Sequence, residues 1–337
     1  MRKLWILITL LLCVSPHAMA DIAFLSDRDG KSNIYVMNDQ GGNIRRVTDT
    51  PYAPGNLSWS PDGQQIAFVL DLPSAEPGKP RQDDILVMNA DGSRQRNLTQ
   101  HPALDGSSSW SPDGKLLAFT SNRHGNRWEI YVMDIATRKV RQLTDTAGES
   151  RGAVRPAWSP DGRKILYMRN QFGHQLYTMN PDGRNDKPLL RKLRRPFGDG
   201  FLFSSFASWS PDGEHILYNE IEHGVNSKRV ANRVIIVNNQ GRNLKVLDIP
   251  KKWLIDKVCW ADDGRAVLFA AVANGFVKNT NIFKIYKYRL SDGRITNLTD
   301  HPSDNWGMAW TPHTSLSVSG REKLTTQWAR LKAASAD

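Results

Sequence analysis

The sequence predicts an all-β fold, a six-bladed β-propeller with four-stranded antiparallel blades. Four short strand-like runs fall in each period of about 50 residues, which is typical of a propeller blade. Four tryptophans open an identical Trp-Ser-Pro-Asp-Gly segment. Six tryptophans recur at intervals of 51, 48, 51, 51 and 50 residues: Trp59, Trp110, Trp158, Trp209, Trp260 and Trp310.

Each Trp-Ser-Pro-Asp-Gly segment predicts a tight turn between the first and second strands of a blade. Proline presets φ at the second turn position, and glycine accepts the left-handed conformation at the fourth. The tryptophan therefore ends the first strand, and an apolar second strand begins beyond the turn, as at 65–69 and 116–120. Residues that are apolar on both faces of a strand indicate burial on both sides.

Third and fourth strands follow in each repeat. Third strands are predicted at 34–38, 85–89, 130–134, 176–180, 234–238 and 282–288. Fourth strands are rich in charge, as at 94–99, 140–144 and 296–299. Basic side chains on an outer strand discourage edge pairing with another molecule.

The sixth blade is predicted to be composite. Segments 22–24, 34–38 and 43–47 supply three strands, and the segment around Trp310 supplies the innermost one. This closure joins both ends of the chain in one sheet. The propeller is predicted at 21–318, and 319–337 is predicted to be an amphipathic helical tail that docks on the propeller or on a partner.

The first twenty residues have the pattern of a secretory signal peptide, with cleavage before Asp21. We therefore expect a periplasmic or secreted protein. No later segment approaches the roughly 20 apolar residues that a membrane-spanning helix needs. Cys259 is the only cysteine beyond the signal, so no intrachain disulfide is expected, and we interpret it as a small buried apolar residue.

The Trp-Ser-Pro-Asp-Gly repeat, with strands such as Ile-Tyr-Val-Met, resembles the propeller of TolB and related WD-repeat-like periplasmic proteins. The resemblance covers nearly all of the mature chain, from residue 22 to about 318. It implies the fold more strongly than the function, because similar blades occur in prolyl-oligopeptidase-type peptidases and oligogalacturonate lyase. The TolB family carries a separate α/β domain ahead of its propeller, whereas the first strand here is predicted just after the signal. That N-terminal part makes the family's contact with the inner-membrane Tol machinery, so the resemblance does not carry over a Tol-system role.

The formal net charge of +11 favours anionic partners. Loops that leave the fourth strand and loops that join the second to the third strand are expected on one face, and 187–206 is predicted to be a long irregular loop. Arginines beside aromatic residues are enriched at protein interfaces. The candidate binding residues are Arg123, Arg127, Trp128, Arg155, Arg169, Arg191, Lys192, Arg194, Arg195, Phe201, Phe203, Trp253 and Trp306. Alternatively, the phenylalanines of 187–206 fasten the loop to the ring and its arginines are merely solvated.

The sequence therefore predicts a non-catalytic, monomeric scaffold that binds a protein partner or an anionic cell-envelope polymer, without a cofactor or specific nucleic acid. It contains no Gly-x-Ser-x-Gly nucleophile elbow and no His-Glu-x-x-His zinc motif. The alternative is a metal-dependent polysaccharide lyase or another propeller enzyme with its active site at the channel mouth. His124, His174 and His223, in loops between second and third strands, would be its candidate ligands.

Overall fold

The predicted six-bladed β-propeller is confirmed. The computed structural model describes residues 21–73, 82–125, 127–147, 152–170, 174–190, 201–223, 229–273 and 282–311. These residues form six four-stranded antiparallel sheets. Within the same ranges, no helix is long and apolar enough to cross a membrane.

Five blades follow one another along the chain, each with its innermost strand first. Blade 1 contains β4 (Pro54–Trp59), β5 (Gln65–Leu72), β6 (Gln82–Asn89) and β7 (Arg96–Asn97). Blade 2 contains β8 (Asp105–Trp110), β9 (Leu116–Ser121), β10 (Glu129–Asp134) and β11 (Val140–Gln142). Blade 3 contains β12 (Ala153–Trp158), β13 (Ile165–Asn170), β14 (His174–Met179) and β15 (Lys187–Pro188). Blade 4 contains β16 (Phe201–Trp209), β17 (His215–His223), β18 (Arg229–Asn238) and β19 (Lys245–Val246). Blade 5 contains β20 (Leu254–Ala261), β21 (Ala266–Val272), β22 (Lys284–Arg289) and β23 (Ile295–Asn297).

Blade 6 closes the ring and is composite, as predicted. It contains β24 (Asn305–Trp310), β1 (Asp21–Ser26), β2 (Asn33–Asn38) and β3 (Arg45–Arg46), in that spatial order. Ile22 pairs with Trp310, and Ser26 pairs with Asn305. The two ends of the described chain are therefore held in one sheet, next to blade 1 on one side and blade 5 on the other.

The predicted turns between first and second strands also form. The amide of Gly63 donates to the carbonyl oxygen of Ser60 at 2.9 Å, and the Ser60 hydroxyl donates to Asp62 at 2.6 Å. The same glycine-to-serine bond recurs after Trp110, Trp158 and Trp209. The serine, the aspartate and the glycine each have a local role, which explains why the segment repeats.

The repeated tryptophans also join neighbouring blades. Four of their indole N–H groups donate to the backbone carbonyl of the residue before the tryptophan of the preceding blade. The observed pairs are Trp59 with Ala309 at 3.2 Å, Trp110 with Ser58 at 3.4 Å, Trp209 with Ala157 at 3.2 Å and Trp260 with Ser208 at 3.3 Å. Each of these four tryptophans therefore links two innermost strands, a role that the spacing alone did not indicate.

The fourth strands are shorter than predicted. In blade 1 the strand is only Arg96–Asn97, although 94–99 was expected. Beyond it, the Leu98 amide still donates to the Ile85 carbonyl, but the Ile85 amide donates to the Thr99 hydroxyl at 3.0 Å. The Thr99 hydroxyl thus takes the place of a backbone carbonyl as the acceptor for the Ile85 amide. Thr48, Thr144 and Thr299 accept the equivalent bond in blades 6, 2 and 5.

Candidate functional site

The two faces of the propeller differ in their connections. We call one the turn face, where first strands meet second strands and third strands meet fourth strands. Its connections are four to seven residues long. The opposite face, which we call the loop face, carries the connections from second to third strands and from one blade to the next. These range from three residues at 171–173 to twelve at 189–200.

Arg123 lies on the loop face but is committed to its own blade. Its guanidinium donates to both carboxylate oxygens of Asp105, at 2.9 and 3.0 Å, and its side chain is only 9% exposed. It also lies over the rings of Phe119 and Tyr131, with centroid distances of 5.0 and 5.2 Å. Burial raises the pKa of Asp105, and hydrogen bonding to Ser121 and the charge of Arg123 oppose that rise.

Arg28 has the equivalent arrangement in blade 6. It follows Ser26 as Arg123 follows Ser121, and in each case the arginine Nε donates to the serine hydroxyl. Its Nη2 donates to Asn305 at 2.9 Å. The repetition indicates that an arginine at this position fastens the second-to-third-strand loop onto its blade.

The exposed candidate on the described loop face is Arg127, whose Nη1 donates to the Thr146 carbonyl at 3.1 Å. The neighbouring Trp128 is half-buried, and its carbonyl accepts the Ala153 amide at 2.7 Å. These two residues therefore lie where blade 2 leads into blade 3.

Three further candidates pack against the propeller. Trp253 is half-buried and stacks at a tilt on Tyr286, with ring centroids 4.5 Å apart. Trp306 is half-buried against the apolar clusters on both sides of blade 6. Arg169 pairs with Asp186 at 2.8 Å and lies 5.2 Å from the centre of the Tyr177 ring.

Several loop assignments from the sequence are corrected. Arg155, Arg169 and Trp306 lie in β12, β13 and β24, and Phe201 and Phe203 lie in β16. The predicted irregular loop 187–206 therefore begins and ends in strands. The reason is that β17 runs on to His223, which provides paired positions for Phe201 and Phe203 in the sheet.

Four predicted basic residues, Arg191, Lys192, Arg194 and Arg195, lie outside the described residues. The same holds for the side chains of Phe201 and Phe203, and for those of His174 and His223. Their contribution to a site remains a prediction. Of the three histidines considered as metal ligands, only the His124 side chain is described. It is exposed, and its Nδ1 lies 2.8 Å from the Tyr131 hydroxyl.

The six innermost strands lie around the axis of the propeller, where this fold has its central channel. The innermost strands of neighbouring blades contact each other around the whole ring. Each of these strands shifts register near the position three residues before its tryptophan. Such a β-bulge redirects a side chain. The six residues at this position are Asn56, Ser107, Arg155, Phe206, Lys257 and Gly307, and all except Lys257 have positive φ.

Three of these bulge residues form a contiguous group, which we call the channel cluster: Arg155, Phe206 and Lys257. The Arg155 guanidinium lies 3.8 Å from the centre of the Phe206 ring, and its Nη1 donates to Ser205 at 2.6 Å. The Lys257 Nζ lies 5.9 Å from the same ring centre. Consecutive blades 3, 4 and 5 thus place two cations around one aromatic ring.

The channel cluster is electrostatically unusual. Burial lowers the pKa of the Arg155 guanidinium and that of the Lys257 ammonium. At Lys257 the interaction with Cys259 opposes this lowering, the charge of Arg155 adds to it, and the charge of Asp256 opposes it less strongly. At Arg155 the charge of Asp256 opposes the lowering. Sequence reasoning identified Arg155 but assigned no role to Lys257 or Asp256. Comparing the position three residues before each tryptophan would have revealed the cluster.

A group with potential metal ligands lies on the turn face. Asp212, Glu214 and His215 each offer a ligand atom, and these atoms lie within 4.8 Å of one another. Asp212 already accepts the Ser210 hydroxyl and the Glu214 amide. The aspartates of three other blades make the equivalent turn bonds, so this geometry is that of the repeated turn.

Comparison with curated proteins finds partial matches that include a peptidase and a TolB homolog. The chain is 30% identical over 131 residues to an uncharacterized peptidase of Bacillus subtilis, covering 30% of this chain and 20% of the peptidase. It is 28% identical over 158 residues to a TolB homolog of Chlorobium luteolum, covering 36% of each. The matches thus span about a third or less of these relatives. No protein-family model matches the chain.

Solved structures give the same fold. TolB from Acinetobacter baumannii aligns with a TM-score of 0.68 at 20% identity, covering 88% of this chain and 67% of that one. Oligogalacturonate lyase from Vibrio parahaemolyticus aligns with a TM-score of 0.53 at 13% identity, covering 83% and 74%. At these identities the structural likeness concerns the propeller fold alone.

Proposed function

We propose that this chain, a TolB-like six-bladed β-propeller, is an exported and non-catalytic scaffold that binds a protein or an anionic envelope polymer through its loop face. The proposal combines the predicted signal peptide with the basic sequence and the TolB-like propeller. The protein would act as a monomer in the periplasm or as a secreted protein.

The observation that supports this proposal is the contrast between the two faces. Connections on the turn face are short and nearly uniform, because each is a repeated turn that the fold requires. Connections on the loop face vary fourfold in length, from three to twelve residues. The fold does not fix the length of these connections, and binding residues usually lie in such variable loops.

The candidate residues divide by their contacts. Arg123 pairs with Asp105 within blade 2 and Trp253 packs on Tyr286 of blade 5, so we expect both to support the surface rather than contact a partner. Arg127 and Trp128 lie between blades 2 and 3, and with the segment 191–195 they form the proposed contact surface. The partner is then recognised by exposed positive charge together with aromatic area.

A matched pair of variants tests the proposal. In one, Arg191, Lys192, Arg194 and Arg195 are all replaced by Ser. In the control, four exposed arginines of the turn face are replaced by Ser, which removes the same charge: Arg163, Arg184, Arg242 and Arg294. The probes are immobilised envelope proteins and immobilised polygalacturonate, each measured at several salt concentrations.

The wild-type protein and the control should bind, and binding should weaken steeply with salt because screening acts over about 10 Å at 0.1 M ionic strength. The loop-face variant should lose most of this binding. Equal binding by both variants would remove the loop face from the proposal.

An enzymatic function is the alternative, since a peptidase is among the relatives and a lyase shares the fold. The purified protein is expected to show no peptidase or metal-dependent lyase turnover. Turnover that requires added metal and disappears in His124→Ala would replace the scaffold proposal with the enzyme.

A further inference from the structure

The channel cluster holds positive charge that the described residues do not neutralise. Arg155 and Lys257 are both half-buried, and they lie at the bulges of the innermost strands β12 and β20. Arg155 donates to a neutral hydroxyl of Ser205, and Lys257 has the Phe206 ring as its described neighbour. No described acidic side chain forms an ion pair with either cation. Partly buried cations without such a partner are costly, so the cluster favours an added anion.

The charge balance limits which anion fits. Asp256 is next to Lys257 in β20, and its charge acts on both cations without pairing with them. When Arg155 and Lys257 are both protonated, two positive charges and one negative charge leave a net charge of +1. A monovalent anion would neutralise the cluster, whereas a dianion would place excess negative charge beside Asp256.

The geometry around Phe206 also limits the ligand. The guanidinium of Arg155 and the ammonium of Lys257 are both placed around one ring, which occupies the space between their blades. A carboxylate has two acceptor oxygens, so it can accept from the guanidinium and the ammonium together. The aromatic ring would restrict water around such an anion and strengthen both interactions.

We propose that the central channel contains a binding site for a single carboxylate, held by Arg155 and Lys257 with Phe206 as its apolar wall. This site is independent of the proposed loop-face surface, because all three residues belong to innermost strands. The carboxylate is carried either by a small molecule or by a polypeptide whose acidic side chain enters the channel, and the experiment below separates these two sources.

The test uses two pairs of probes that differ only in charge. Propionate and propionamide represent the small molecule. An end-capped Ala-Ala-Glu-Ala-Ala peptide and its Gln counterpart represent the polypeptide. Binding is measured by titration calorimetry with the wild-type protein, Lys257→Met and Arg155→Met. Lys245→Met is the control, since it removes the same charge from the exposed strand β19.

The wild-type protein and Lys245→Met should bind a charged probe and not its neutral counterpart. Lys257→Met and Arg155→Met should lose at least about tenfold in affinity, the effect of one charged hydrogen bond. Lys257→Arg should retain binding, and thermal unfolding should show that every variant is folded. Tighter binding of the Glu peptide than of propionate identifies the polypeptide source, and the reverse order identifies the small molecule.

Several results would overturn the proposal. One is equal binding of charged and neutral probes by the wild-type protein, or no binding of either charged probe at millimolar concentration. Another is wild-type affinity in folded Lys257→Met. Tighter binding of inorganic phosphate than of both carboxylate probes would show that the charge balance was assigned wrongly. None of these measurements depends on the loop-face variants, so this site and the proposed function can fail separately.

Discussion

The substitution Gly92→Ala tests how each blade is held against its neighbour. Gly92 lies in the turn between β6 and β7 with φ of +90°, and a Cβ added there would lie 2.0 Å from the Val47 carbonyl oxygen. Val47 follows the outermost strand of blade 6, so the collision is between two blades. Gly30 is a matched control, because its φ is +85° and an added Cβ meets nothing within 4 Å.

The two substitutions share the conformational cost and differ in the collision. Alanine with a positive φ costs about 1–2 kcal/mol, and the reduced freedom of the unfolded chain returns part of it. Gly30→Ala should therefore lose about 1 kcal/mol. A backbone oxygen cannot move aside as a side chain can, and overpacking adds about 1–3 kcal/mol. Gly92→Ala should then lose about 2–4 kcal/mol in total.

Thermal unfolding followed by circular dichroism measures the difference. In a chain of this size 1 kcal/mol corresponds to about 2 °C, so we expect the midpoint to fall by about 2 °C for Gly30→Ala and about 4–8 °C for Gly92→Ala. Urea unfolding should give the same order. Equal midpoints for the two variants would show that the blades do not approach each other at Gly92, and would refute this account of inter-blade packing.

Three further predictions concern single contacts. In urea unfolding, Trp209→Phe should lose about 1 kcal/mol more stability than Trp158→Phe. The reason is that the Trp209 indole donates to a neighbouring blade, whereas the Trp158 indole nitrogen has no described partner. Equal losses of stability would argue against the inter-blade hydrogen bond. Arg123→Met should cost about 3–5 kcal/mol at pH 7, since it leaves the Asp105 carboxylate buried without its cation. Burial already raises the pKa of Asp105, so folding favours its protonated form. The stability lost in Arg123→Met should therefore shrink as the pH falls through that raised pKa. A loss of stability that does not change with pH would contradict the ion pair between Arg123 and Asp105. Burial raises the pKa of Cys259 to about 12, so iodoacetamide at pH 8 should label the native thiol far more slowly than the thiol in urea, and equal rates would show that it is accessible and ionised.

Much of the fold could be predicted because its signals are local. Serine, proline, aspartate and glycine within one turn make bonds to each other, as Ser60, Asp62 and Gly63 do. The composite blade was predictable because the segments 22–24, 34–38 and 43–47 supply only three of its four strands. The segment around Trp310 therefore has to supply the fourth. The fourth strands were predicted too long, since nothing in the spacing shows that the Thr99 hydroxyl takes over a backbone partner.

The candidate site was less predictable, because charge and sequence position do not show which partners a side chain meets. Arg123 and Arg169 looked like free surface cations, yet each has a carboxylate partner. Phe201 and Phe203 were assigned to a loop because the length of β17 was not evident. Arg155 was included for its charge, although its position at a bulge in β12 was not foreseen.

The sequence by itself determined the number of blades, the turns between first and second strands, and the composite closure, because each depends on neighbouring residues or on the repeat period. Only the tertiary structure decided which side chains of different blades meet. Arg155, Phe206 and Lys257 are each separated by 51 residues along the chain, and closing the ring brings them to one wall of the channel. The physical reason is that the bulges in β12, β16 and β20 place one side chain of each strand against a neighbouring blade. The identity of that neighbour then sets the burial and charge on which binding depends.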